Sequence, residues 1–178
     1  MEWRQSSAIT HSHVVASHPP QRITDAAGRV IDLRVSGDGP LDDEREALVE
    51  MYLDFDPTHR SLGLPPVGER RIREWLDILL DGLDVLAWHG QRVVGQASLV
   101  ESSPQECEMV IFLHQEYHGS GIGTRLTETA LSYGQQQGVR RVWLLVERNN
   151  LPAVSLYQHV GFTLSKALGY DVEMEIFL

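Results

Sequence analysis

Two rhythms of apolar positions alternate along this chain, one of period two and one of period 3.6, and each marks an element. Ile23 and Thr24, the run Asp25-Ala26-Ala27-Gly28, and then Val30, Ile31, Asp32, Leu33, Arg34 and Val35 read as a turn leading into an alternating strand. Ala47, Leu48, Met51, Tyr52 and Phe55 recur at helical spacing behind Asp42 and Asp43, whose negative charge suits a helix start. Residues 56–66 have the Gly and Pro content of an ordered loop, and Ile72, Trp75, Leu76 and Leu79 mark a second amphipathic helix. Residues 84–88 and 92–100 flank His89-Gly90-Gln91 as a strand hairpin, and 106–114 is the next strand. Ile122, Leu126, Ala130 and Tyr133 follow a helical face that ends near Gly138, and 141–146 is a buried strand. Asn150 caps a last helix with Pro152 in its first turn; Gly161 stops it, and 162–168 and 171–177 alternate around Gly169 as a terminal hairpin. The order predicts an α/β fold: a mixed, mostly antiparallel central sheet of about seven strands flanked by four helices.

Composition narrows the class. A chain of 178 residues, 42% apolar, fits one ordinary domain. Residues 1–21 carry Ser, His and Pro without periodicity and read as a flexible or loosely docked tail, leaving 22–178 as the single domain. His11, His13 and His18 lie in that tail without an acidic or thiol partner, so no metal is expected. No run of eighteen apolar residues and no charged-then-apolar leader occurs, and the single cysteine, Cys107, excludes an intrachain disulfide, so the expectation is a cytoplasmic protein without a membrane partner. A net charge of −10 disfavours nucleic acid and suits cationic partners. With one lysine, Lys166, the composition equally suits high-salt adaptation or a GC-rich genome.

Chemistry first surfaces in Leu113-His114-Gln115-Glu116-Tyr117-His118-Gly119-Ser120-Gly121-Ile122-Gly123-Thr124, a strand-to-helix crossing with three glycines. Glycine lets the backbone approach a ligand and take positive φ, while a helix start offers unpaired amides and partial positive charge. A diphosphate fits such a turn. Gly123-Thr124-Arg125 lacks the Gly-Lys-Ser/Thr ending of a P-loop, and Thr124 stands where a dinucleotide fingerprint needs glycine. A tight turn without a ligand is the plain alternative.

Asn150-Leu151-Pro152-Ala153-Val154-Ser155-Leu156-Tyr157-Gln158-His159-Val160-Gly161-Phe162 supplies a second segment. It is similar to the Asn-x-x-Ala-x-x-Leu-Tyr-x-x-x-Gly-Phe pattern of the GNAT family of N-acetyltransferases, and Tyr117-x-Gly119-x-Gly121-Ile122-Gly123 resembles that family's pyrophosphate loop, with His118 in place of its usual Arg or Gln. The resemblance is detailed over 106–162 and extends by element order from about Val30 to the C-terminus. It implies a sheet splayed between the fourth and fifth predicted strands, and acetyl-CoA as co-substrate. The pantetheine arm is expected along Ile111, Phe112 and Leu113, and the diphosphate on His118, Gly119, Ser120, Gly121, Ile122, Gly123 and Thr124. Asn150 is expected at the cofactor and Tyr157 near its sulfur. A helix cap for Asn150 and a core aromatic for Tyr157 are the purely structural readings.

The resemblance implies acetyl transfer to a primary amine: a small molecule, a protein N-terminus or a lysine. Such an amine, with a pKa near 10.4, is neutral in only about one molecule per few thousand at pH 7, a deficit of about 4.6 kcal/mol. Glu108, where many relatives carry glutamate, is the expected base, directly or through water, and burial has to raise its pKa for it to serve; an exposed strand carboxylate is the alternative. A backbone amide near Phe112 or Leu113 is placed to hold the oxyanion, and Tyr157 to hydrogen-bond or protonate the departing thiolate. Cys107 falls on the opposite strand face from Glu108 and reads as a small buried residue. Residues 56–66, the second helix and 102–105 are expected to shape the acceptor site, with Asp54, Asp56 and Glu101 as acids able to attract it. The competing readings are a non-catalytic acyl-CoA sensor and a homodimer that pairs exposed sheet edges.

Overall fold

The computed structural model describes residues 18–178. One eight-stranded sheet runs in the order β1-β2-β3-β4-β5-β6-β8-β7. Its strands are β1 (Gln21–Thr24), β2 (Val30–Val35), β3 (Leu83–His89), β4 (Arg92–Ser103), β5 (Glu106–Leu113), β6 (Arg141–Glu147), β7 (Thr163–Leu168) and β8 (Asp171–Phe177). The helices are α1 (Glu44–Leu53), α2 (Glu69–Leu79), α3 (Ile122–Gln136) and α4 (Leu151–Val160). The strand beyond the expected seven is β1, which pairs with β2 across the turn at 25–29. Every pairing is antiparallel except β5 with β6. The predicted fourth and fifth strands are therefore β5 and β6.

Gln21, the last residue of the predicted tail, is paired with Leu33 in this sheet, and His18 shares its Nδ1 with Ser132 Oγ at 2.6 Å and Gln136 Nε2 at 2.7 Å. Residues 1–17, with His11 and His13, lie outside the described residues. No helix among the described residues is long and apolar enough to cross a membrane.

Alternation along the central strands divides the core by face. Leu86, Trp88 and Phe112 pack under α1 and α2 with Leu48, Met51, Tyr52, Ile72 and Leu76. Val85, Ala87 and Ala97 meet Ile122, Leu126 and Ala130 of α3 on the opposite face. Val142, Leu144, Met174 and Ile176 continue that face under α4 with Tyr157 and Phe162. Helix ends follow local chemistry: Asp43 accepts from Glu46 N at 3.1 Å to start α1, Asn150 accepts from Ala153 N at 3.4 Å to start α4, and Gly161 at φ +116° ends it. Helix α3 starts without a side-chain cap, at Gly121 in the left-handed region.

Candidate functional site

Strands β5 and β6 share only the rungs Glu106 with Arg141, Cys107 with Val142 and Glu108 with Trp143. Beyond Glu108 they part, although β5 continues to Leu113 and β6 to Glu147. On its other edge β5 stays paired with β4 as far as Gly95 with Leu113. The β6-facing edge of 109–113 thus carries ladder groups that no strand among the described residues satisfies, a template for an extended, amide-rich ligand. A cleft of about 1250 Å³ fills the gap. That exceeds the common range for a single small-molecule pocket, roughly 300–1,000 Å³.

The glycine turn closes one end of the cleft. Gly119 and Gly121 take φ of +68° and +86°, and no atom of the described residues lies within 4 Å of a Cβ added at either, so backbone conformation rather than space requires glycine there. Arg125 N donates to Gly121 O at 3.3 Å, the first helical bond of α3. The amides of Ile122, Gly123 and Thr124 therefore have no intrahelical acceptor, and they sit at the positive end of a fifteen-residue helix. The turn is anchored from beneath: Ser120 O accepts from Ala26 N at 3.0 Å, Ser120 Oγ donates to Tyr117 O, and the Tyr117 hydroxyl pairs with His89 Nδ1 at 2.8 Å. At Gly123 an added Cβ would meet Leu156 Cδ1 at 3.1 Å, which keeps the start of α3 close to α4.

Most of the expected site residues meet in this cleft. Glu108, Ile111, Phe112, Leu113, His118, Gly119, Gly121, Gly123, Thr124, Asn150 and Tyr157 all line it. Ile122 is wholly buried in the core and Ser120 is turned toward Tyr117, so only their backbone groups are available to the turn. His118 Nε2 donates to Leu113 O at 2.7 Å, which draws the ring back over the end of β5. Arg125 is engaged by Glu128 at 3.0 Å and Gln21 at 3.3 Å.

Glu108 stands on the last shared rung, where the splay opens, on the sheet face of Phe112; Tyr157 comes from α4 on the opposite face. The cleft passes through the sheet and joins them. Burial pushes the Glu108 carboxyl above the ordinary glutamate range. Tyr157 is 9% exposed, its ring packs 5.7 Å from that of Phe162, and burial pushes its phenol up to about 12. Cys107 lies on the other strand face, buried, with its thiol raised by desolvation and then by Glu101.

The acids expected to attract an acceptor sit elsewhere. Asp54 Oδ2 is engaged by His114 Nε2 at 2.9 Å and Arg92 Nη2 at 3.2 Å, Asp56 Oδ1 accepts from Thr58 N at 2.8 Å, and neither they nor Glu101 line the cleft. Glu147, Asn149 and residues 58–62 do line it. Glu147 escaped the sequence reading because no spacing relates the end of β6 to a loop some eighty residues earlier.

An open mixed sheet, parted between its parallel central strands with a glycine turn at the parting, defines an acyl-CoA N-acyltransferase fold. The GNAT domain of S. lividans PAT has this fold, with a TM-score of 0.71 at 17% identity over 89% of this chain and 96% of that one. So does yncA of Salmonella typhimurium, solved with its cofactor acetyl-CoA: TM-score 0.64, 15% identity, 83% of this chain and 93% of that one. The chain belongs to the acetyltransferase (GNAT) family, whose family model matches residues 45–162. Among curated relatives, a mycothiol acetyltransferase of Corynebacterium glutamicum is 37% identical over 86 residues, 47% of this chain. The match spans 30% of that relative's length.

Proposed function

We propose that this protein transfers the acetyl group of acetyl-CoA to a primary amine, with Glu108 as base and Tyr157 as hydrogen-bond donor to the leaving sulfur. One observation carries the reading: a single cleft joins a half-buried carboxyl, a buried phenol, a free strand edge and the unpaired amides of a helix start.

The residues fit the co-substrate by their chemistry. Amides of 119–124 suit a diphosphate, and the open edge of 109–113 suits the amides of a pantetheine arm. When bound, acetyl-CoA supplies an activated acyl group. Glu108, less acidic than an exposed glutamate, accepts the proton that an ammonium must lose, directly or through water, and so produces the neutral nucleophile. A backbone amide at Phe112 or Leu113 faces the carbonyl oxygen as it gains charge. Tyr157 keeps its proton throughout the physiological range and offers it as a hydrogen bond to sulfur.

The test is release of coenzyme A thiol across a panel of amines and peptides, followed by mass analysis of the product. The name of the curated relative makes mycothiol-related amines its first members. Thiol release with a product 42 Da heavier, about one acetyl group in place of a proton, is expected for a matched acceptor. Tight acetyl-CoA binding without release across the panel would replace this reading with an acyl-CoA sensor.

A further inference from the structure

Past their last shared rung nothing within the sheet fixes the separation of β5 and β6, yet that separation sets where two reactants meet. The loop between α1 and α2 crosses the gap. At one side Asp56 N donates to Gln115 Oε1 at 3.1 Å and Gln115 Nε2 donates to Asp54 O at 2.7 Å, which ties the loop to the residues that follow β5. Midway, the His59 ring meets the His118 ring edge to face with centroids 4.7 Å apart. At the far side Leu62 N donates to Glu147 Oε1 at 3.1 Å, on the last residue of β6.

The crossing segment is braced from within. Ser61 and Leu64 exchange backbone bonds at 3.0 and 2.9 Å, and the Arg60 guanidinium donates to Pro65 O at 2.7 Å and Gly63 O at 2.8 Å. Leu62 holds φ +54°, a left-handed conformation unfavourable for a leucine that survives only where surrounding bonds determine it. Its amide is the one that reaches Glu147.

We infer that Glu147 is a positioning residue of the acceptor site: its carboxylate clasps the α1–α2 loop to β6, so the loop straps the open end of the splay and sets the width of the acceptor entrance. The inference rests on the acetyltransferase reading of the cleft. It assigns Glu147 no chemistry and makes its role that of a hydrogen-bond acceptor, which an amide can also fill. Direct attraction of a cationic amine would instead require the charge.

Glu147→Ala and Glu147→Gln separate the two. Amide hydrogen exchange at Leu62, read on the protein alone, is expected to speed up on the order of tenfold or more in Glu147→Ala and to stay near the parent rate in Glu147→Gln. With an amine found by the panel, Glu147→Ala raises the KM of the amine on the order of tenfold while acetyl-CoA affinity by calorimetry stays within about twofold, and Glu147→Gln restores the amine KM. Unchanged exchange at Leu62 in Glu147→Ala overturns the clasp whatever the activity. So does a Glu147→Gln variant as impaired in amine KM as Glu147→Ala. Acetyl-CoA binding without turnover in the parent protein refutes the acetyltransferase reading instead, and the exchange measurement then decides the clasp by itself.

Discussion

Replacing Tyr157 by Phe removes one hydroxyl and leaves the ring packed against Phe162. In the proposed reaction the phenol at about 12 meets a thiol whose reference value is about 8.5, so complete proton transfer is uphill by roughly 4–5 kcal/mol at about 1.4 kcal/mol per unit. That is more than the roughly 2 kcal/mol for an unperturbed tyrosine, and burial is the whole cause. In the proposed reaction Tyr157 thus acts by a hydrogen bond that strengthens as sulfur gains charge, which contributes about 1.5–3 kcal/mol and places the expected loss in kcat on the order of 10- to 100-fold. Acetyl-CoA affinity, measured by calorimetry, stays within about twofold because the bond matters little in the ground state. The alkaline side of the pH–rate profile up to pH 10 keeps its shape, since the phenol titrates above it. An unchanged kcat removes Tyr157 from the mechanism. A parent profile with an alkaline limb below pH 10 that vanishes in the Phe variant refutes the argument from burial.

Glu108→Gln is expected to lower kcat and flatten the acid limb: the carboxylate must be ionised to accept a proton, so activity falls as pH drops through its raised pKa, and an unaltered limb in the variant assigns the base elsewhere. Gly121→Ala places an L-residue at φ +86° with open space around its Cβ, a backbone cost of about 1–2 kcal/mol that the free protein relieves by rearranging the turn and that binding has to restore, so acetyl-CoA affinity falls on the order of tenfold by calorimetry; unchanged affinity separates the turn from the diphosphate. Asp84, 3% exposed, accepts from Gln96 Nε2 at 2.7 Å and from Ser98 Oγ through Oδ1, while Oδ2 has no partner among the described residues, and burial raises its carboxyl to about 6. Between about pH 4 and 6 the folded state holds a proton the unfolded state has lost, so stability falls as pH rises through that window, by up to about 2–3 kcal/mol. Asp84→Asn keeps the accepted bonds and should abolish this fall, raising the melting temperature at pH 7 relative to the parent; an unchanged slope in chemical denaturation across pH 4–6 refutes it.

Local chemistry made much of this protein legible without coordinates. Apolar period placed α1 to α4 and seven strands within a few residues, because each of these elements buries one face and its neighbours in sequence say which. The short strand β1 gave only Ile23-Thr24 as a signal; its pairing depends on Leu33 and Ile31 across the turn. Gly119, Gly121 and Asn150 announced themselves by residue type, since positive φ and helix capping are demands on single residues.

Tertiary structure alone decided what depends on residues far apart in the chain. Glu108 and Tyr157 carry ordinary reference pKa values in the sequence; only packing under α4 and at the foot of the splay raises them. Asp54 reads in sequence as an acid available to a cation, and only the fold brings His114 and Arg92 to engage it, whereas Asp56 is held by its near neighbour Thr58. Glu147 gained a role when β6 ended beneath Leu62, a meeting set by the path of the chain through the sheet. Sequence thus determined the parts whose free energy is local, while desolvation and long-range hydrogen bonding, which need the assembled core, determined what the cleft can do.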